Sequence, residues 1–221
     1  MLRTRWRFCA AVWAAAAAGV FGGDERGVNI HFTDPRPGEM ETLAATGVGW
    51  VRMDMFWAAI ERRRGEYDFS AYDRLAATLA DHRLRALWIL DYGNPHYDNG
   101  EAPRTEEGRA AFARWAAAAV SRYRGRGHLW ELWNEPNLRK FWKPAPNVTD
   151  YIALARAVAR EVRAAAPEER LVGPAVSQID WAFLEECFRG GLLEHWHAVT
   201  VIPTAGLTLK PWRRSTDGCG T

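Results

Sequence analysis

The stretch Trp133-Asn134-Glu135-Pro136 holds the residues of this sequence best suited to chemistry. It ends a short apolar run, HLWELW, with an amide and a carboxyl directly before a proline. Because proline cannot donate a ladder hydrogen bond, it ends a strand and fixes the residues beside it. A carboxyl fixed in this way can protonate a departing glycosidic oxygen, while the amide binds a sugar hydroxyl. We therefore predict a proton donor at Glu135; a solvated loop carboxylate is the alternative.

Alternation along this predicted strand, residues 128–133, determines which side chains share a side. Period-two geometry predicts that Trp133 and Glu135 lie on the side of Glu131, whereas Asn134 points the other way until the chain turns. We predict that Glu131 is the buried partner of a cation inside the fold.

Segments of strand-like and helix-like composition alternate along the chain. Short apolar or aromatic runs predict the strands, and amphipathic spacing with capping residues predicts the helices. The strands are predicted at residues 27–32, 50–57, 84–90, 128–133, 170–176 and 197–201, and the helices at 36–47, 70–82, 105–123, 149–167 and 180–191. Thr105 and Thr149 are predicted to cap the third and fourth of these helices.

This strict alternation predicts parallel strands covered by helices, either as a doubly wound sheet or as an eight-fold barrel. No glycine-rich phosphate loop follows the first strand, as a dinucleotide-binding sheet requires. Polar and aromatic residues follow the later strands, which is where barrels collect their chemistry: Asp54, Trp57, residues 91–98 and residues 134–137. We predict an α/β fold that is an incomplete TIM (β/α)8 barrel with about six of its eight strand-helix units.

Three segments resemble the clan A glycoside hydrolases, a group of retaining glycosidases built on (β/α)8 barrels. LWELWNEPN (129–137) resembles the clan's fourth strand, residues 50–75 resemble the second strand with its helix, and residues 89–97 resemble the third strand. The pattern is nearest family 39, which contains β-xylosidases and α-L-iduronidases, with the cellulase family 5 close behind. The resemblance covers roughly residues 27–201.

The resemblance implies roles for individual residues. Glu135 matches the general acid/base, Asn134 matches the amide that binds the sugar 2-hydroxyl, and Arg52 matches the arginine that steadies the catalytic carboxylates. Strand parity puts Asp54 on the side of Arg52, and Glu61 is predicted to be a turn position without a catalytic role. Four further candidates could line the sugar subsites, with packing at the barrel rim as the alternative for each: Trp57, His96, Tyr97 and Trp142.

Retaining hydrolysis needs a second carboxyl, the nucleophile, which the clan carries on its seventh strand. The predicted strands stop in the sixth unit, and no residue of this chain matches the nucleophile. After Val201 the chain loses helical spacing, and a shift of one base there can encode a strand end and an amphipathic helix. We expect a partial catalytic domain at residues 24–201 and an out-of-frame tail at residues 202–221.

The first residues predict a secretory signal peptide at residues 1–23. Arg3, Arg5 and Arg7 precede an apolar run rich in small residues, and this run is shorter than the ~20 residues that span a bilayer. We expect a secreted or periplasmic bacterial protein. The alternative is an uncleaved membrane anchor.

The charge balance and the cysteine count indicate which classes of binding partner and cofactor to expect. The 29 Lys and Arg residues nearly balance the 27 Asp and Glu residues, which argues against a nucleic-acid partner. One of the three cysteines lies in the leader, so neither a disulfide framework nor a metal cluster is indicated. We predict a carbohydrate substrate, no metal and no organic cofactor. Two hypotheses stand: a retaining hydrolase of polysaccharides or oligosaccharides, and an inactive truncated barrel that binds carbohydrate weakly.

Overall fold

The computed structural model describes residues 26–203, so the predicted signal peptide and residues 204–221 of the predicted tail lie outside the described residues. The strands are β1 (Gly27–Asn29), β2 (Trp50–Phe56), β3 (Arg85–Asp91), β4 (Leu129–Leu132), β5 (Leu171–Ser177) and β6 (Ala198–Ile202). The helices are α1 (Glu39–Ala45), α2 (Trp57–Ile60), α3 (Ser70–Asp81), α4 (Glu106–Arg122), α5 (Val148–Ala165) and α6 (Trp181–Arg189). Strand β6 runs one residue past Val201, where we expected the tail to begin.

The six strands form one parallel sheet in the order β1 to β6, each pairing with the next in sequence. The sheet is curled, as shown by residues of the two outermost strands, β1 and β6, which line the same cavity of about 950 Å³. Within residues 26–203, β1 and β6 do not pair with each other. The architecture is an incomplete TIM barrel, as predicted.

Strand alternation divides the apolar residues into two layers. Outward-facing side chains such as Met53, Trp88 and Trp130 pack under the helices in the large core. A small inner cluster lies inside the curled sheet and contains Trp50, Leu87, Leu129 and Val172. Period-two geometry accounts for both layers, because neighbouring residues on a strand face opposite sides.

The two long helices that cover the sheet begin at different kinds of cap. Thr105 caps α4 as predicted, and its side chain accepts a hydrogen bond from the Gly108 N–H at 3.0 Å. The prediction that Thr149 caps α5 is wrong. Asn147 is the cap, and its side chain accepts a hydrogen bond from the Asp150 N–H at 3.0 Å. Asn147 has the extended backbone that a cap requires, and Thr149 already lies in the first helical turn. In the described part of the chain, no helix has the length and apolarity to cross a membrane.

Candidate active site

Strand β4 ends at Leu132, and the chain then turns sharply at the mouth of the barrel, meaning the C-terminal ends of the strands. Trp133 and Glu135 have φ values of 65° and 46°, in the left-handed region that side chains rarely adopt. Trp133 consequently packs among the helices, with ring centroids 5.9 Å from Phe112 and 4.9 Å from Trp142. The prediction that Trp133 shares the side of Glu131 is wrong, because the left-handed backbone ends the alternation.

Asn134 contacts residues of two neighbouring strands. Its Oδ1 accepts a hydrogen bond from Arg52 Nη2 at 2.8 Å, and its Nδ2 donates to the Tyr92 hydroxyl at 3.0 Å. Two residues predicted from separate segments, Arg52 and Asn134, are therefore in direct contact. The prediction that Asn134 points away from the side of Glu131 fails for the same backbone reason as that for Trp133.

Arg52 also forms an ion pair inside the barrel. Its Nε and Nη2 lie 2.7 Å and 2.5 Å from Glu131 Oε2. Burial raises the pKa of Glu131, and the guanidinium of Arg52 opposes that rise by favouring the carboxylate. Glu131 is thus the buried partner of a cation, as predicted, and it orients the guanidinium toward Asn134.

Glu135 is held by its backbone at the end of β4. Its N–H donates to the carbonyl of Ala175 in β5 at 3.0 Å, and its own carbonyl accepts from the Leu138 N–H at 3.0 Å. Its side chain is 8% exposed. These bonds fix the main chain on both sides of the carboxyl, which is the anchoring that the Asn-Glu-Pro pattern predicted.

Asp91 is a buried acid at the mouth that was not among the predicted site residues. It ends β3 and is 0% exposed, and its oxygens have no hydrogen-bond partner of good geometry within residues 26–203. Burial raises its pKa well above the usual range, and the neighbouring Asp54 carboxylate raises it further. Asp54 also lies 3.6 Å from His31 Nδ1. Parity could have found Asp91, because Leu87 and Ile89 alternate with it on the inner face.

Two of the predicted subsite residues, Trp57 and Tyr97, surround a different buried acid, Glu61. Trp57 Nε1 and the Tyr97 hydroxyl donate to the Glu61 carboxylate at 2.5 Å and 2.8 Å, and the Gly65 N–H donates at 2.7 Å. The two rings stack with centroids 5.0 Å apart. Trp57 is 0% exposed, so it offers no surface to a sugar here. This placement favours packing over a subsite role for both residues, and it gives Glu61 a structural part in its turn.

The other two predicted subsite residues lie apart from each other. Trp142 is 2% exposed and packs between Trp133 and Tyr151, which also favours packing. His96 is exposed, and its ring Nε2 lies 3.0 Å from the carbonyl of Arg62. None of the described contacts of these two residues joins them to Asn134.

The described residues show no group of three or more His, Cys, Asp and Glu side chains placed to hold a metal. The arrangement instead offers hydrogen-bond donors, carboxyl groups and a protected amide at one mouth. Such a set can bind and protonate a polar organic molecule.

Comparisons with known proteins identify relatives of this chain. Residues 109–203 match the family model described as glycosyl hydrolases family 39. A beta-xylosidase of Geobacillus stearothermophilus is 46% identical over 48 residues, which are 22% of this chain and 9% of that protein.

Solved structures share the fold. A family 39 glycoside hydrolase from Bacteroides cellulosilyticus matches with a TM-score of 0.66 at 23% identity, over 79% of this chain and 37% of that chain. A GH39 beta-xylosidase from Caulobacter crescentus matches with a TM-score of 0.65 at 20% identity, over 82% of this chain and 47% of that chain. This chain therefore spans less than half the length of these relatives.

Proposed function

We propose that this chain, which matches the model of glycosyl hydrolases family 39 over residues 109–203, takes part in hydrolysing β-linked sugars, with Glu135 as the proton donor. We propose β-xylosides as the first substrates to test, because the relatives of this chain include beta-xylosidases.

The contact between Arg52 and Asn134 carries the proposal. Arg52 is held by Glu131 and donates to Asn134 Oδ1 at 2.8 Å, so the amide beside Glu135 has a fixed orientation. A sugar that binds at Asn134 meets the carboxyl of the next residue. Rigid placement of this kind is what general acid catalysis requires.

The chemistry proposed for Glu135 is that of a retaining glycosidase. Its carboxyl gives a proton to the glycosidic oxygen as a nucleophilic carboxylate bonds the anomeric carbon and the bond from that carbon to the glycosidic oxygen breaks. The Glu135 carboxylate later takes a proton from the water that bonds the anomeric carbon and displaces the nucleophile. Retention also needs a nucleophilic carboxylate about 5–5.5 Å from the first carboxyl. No residue of this chain is assigned to that second role, so the proposal for this chain concerns proton transfer and sugar binding.

The test compares leaving groups of different basicity. Glu135→Gln is expected to lower kcat/KM for a phenyl β-xyloside about 100-fold or more, because phenolate leaves poorly without a proton. The loss is expected to be much smaller for a dinitrophenyl β-xyloside, whose leaving group needs little protonation. Release of phenol from the first substrate and of dinitrophenol from the second is measured with the full 221-residue chain.

Glu168→Gln is the matched control, since Glu168 is exposed just beyond α5. The control is expected to behave as the unsubstituted chain with both substrates. Equal losses for the two leaving groups in Glu135→Gln would rule out proton donation by this residue. A chain that binds the xyloside but releases no phenol would instead support binding without hydrolysis.

A further inference from the structure

Trp181 differs from every other tryptophan in the described residues. It is 63% exposed, whereas the eight others between residues 26 and 203 are all buried, the most accessible of them being Trp196 at 8%. Ile179, two residues earlier, is 47% exposed. A single exposed apolar residue is ordinary on a protein surface, so the position of Trp181 relative to the candidate site decides whether it could bind a ligand.

The segment that carries Trp181 is fixed to the turn that carries Glu135. Asn137, two residues after Glu135, donates from Nδ2 to the carbonyl of Ser177 and to Asp180 Oδ2, both at 3.1 Å. Asn137 Oδ1 accepts from the Ser177 N–H at 2.9 Å. Asp180 also caps α6 by accepting from the Phe183 N–H at 3.1 Å. The Asn137 side chain therefore makes two bonds to the end of β5 and one to the residue that caps α6.

Glu135 lies between two sides of the mouth. The Asn134 side chain is bonded toward β2 and β3, through Arg52 and Tyr92. The Glu135 N–H is bonded toward β5, through Ala175. A sugar held by Asn134 occupies the first side, so the group that departs with the proton of Glu135 extends over the second side, where Trp181 begins α6.

We infer that Trp181 is a stacking platform for the sugar on the leaving-group side of the scissile bond. This inference rests on the proposed function and adds a specificity-determining residue to it, because Trp181 would distinguish substrates by the number of their sugar rings. A pyranose ring has an apolar C–H face that covers an indole, and its hydroxyls stay in solvent at the rim. The platform adds affinity only for substrates with a ring beyond the one at Asn134.

The test measures binding against chain length. Xylose, xylobiose and xylotriose are titrated into the full chain by calorimetry, with Glu135→Gln as the background so that nothing is hydrolysed. Trp181→Ala is expected to weaken xylotriose binding about 10-fold and to leave xylose binding unchanged. Trp181→Phe, which keeps an aromatic face, is expected to restore most of the loss. Leu193→Ala is the control, because Leu193 is 50% exposed in the short turn that follows α6.

The outcomes separate this inference from the proposed function. Unchanged xylotriose binding in Trp181→Ala, or equal losses for xylose and xylotriose, would overturn the platform while leaving the proton donor intact. A chain that sediments as a dimer and that Trp181→Ala converts to a monomer would assign the indole to self-association instead. Failure of Glu135→Gln to reduce hydrolysis would contradict the proposed function without changing the length dependence of binding.

Discussion

Glu61 and Asp91 are both buried carboxyl groups near the mouth of the barrel, and their surroundings are opposite. Glu61 is 1% exposed and accepts hydrogen bonds from Trp57, Gly65 and Tyr97. Asp91 is 0% exposed, its oxygens have no hydrogen-bond partner of good geometry within the described residues, and the Asp54 carboxyl lies beside it. A buried carboxylate surrounded by donors stabilises its structure, whereas one beside a second acid holds its proton and costs stability.

The difference separates the structural part of the mouth from the part available for chemistry. Glu61 closes the loop after β2, with its aromatic donors in the core under the helices. Asp91 lies on the inner face with Asp54, near Arg52 and the Tyr92 hydroxyl that binds Asn134. Functional sites commonly retain polar groups that are poorly satisfied in the absence of a ligand, and such groups reduce stability.

The largest expected effect tests the structural side of this comparison. Glu61→Ala leaves the buried donors of Trp57 and Tyr97 without an acceptor, so we expect the free energy of unfolding to fall by roughly 4 kcal/mol, at about 1–3 kcal/mol for each of these two donors. Urea unfolding measures the loss. Glu66→Ala in the same turn is the control, because its ion pair with Arg63 is exposed and contributes little. Similar stabilities of the two variants would show that the Glu61 donors are satisfied by solvent.

The next largest expected effect tests the ion pair between Arg52 and Glu131. Arg52→Met removes the partner of Glu131 and leaves a buried carboxylate unpaired, which costs about 3 kcal/mol, the low end for buried pairs, because Arg52 is partly exposed. Adding Glu131→Gln is expected to recover much of that loss, since the amide carries no charge. Chemical unfolding of both variants gives the comparison. No recovery in the double variant would mean that Arg52 acts through packing rather than through its charge.

The elements of the fold were largely predictable from local patterns. Alternation located all six strands, and Thr105 followed by acidic residues located the start of α4. The Asn134–Glu135 turn was found because a proline follows a carboxyl at the end of a strand. The directions of the side chains in this turn were not predicted correctly, because nothing in the local sequence requires the left-handed backbone of Trp133.

The pairing of the two aspartates was not predictable for a different reason. Asp54 and Asp91 come together through the register of β2 with β3, in which Phe56 lies opposite Asp91. Register between distant segments depends on the whole sheet rather than on any local pattern. The same limit applies to Trp57 and Tyr97. Their residue types are compatible with either a sugar subsite or core packing, and only their contacts with Glu61 in the folded chain favour packing.

The smallest expected effect tests the unsatisfied side. The folded state raises the pKa of Asp91 above its usual 3.8, so it holds a proton that the unfolded chain releases, and stability falls as the pH rises above about 4. Asp91→Asn resembles the protonated acid and lacks this titration. We expect its melting temperature to exceed that of the unsubstituted chain at pH 8 and the excess to shrink as the pH approaches about 4.

The difference between the two proteins isolates Asp91 from other titrating groups. Burial lowers the pKa of His128 to about 4, which makes stability rise with pH between about 4 and 6.5, opposite to the effect of Asp91. Both proteins contain His128, so this contribution cancels in the difference between them. An excess that stays constant from acid to alkaline pH would mean that the folded state does not raise the pKa of Asp91. Asp91 would then need a donor as Glu61 does, and the distinction between the two carboxyl groups would fail.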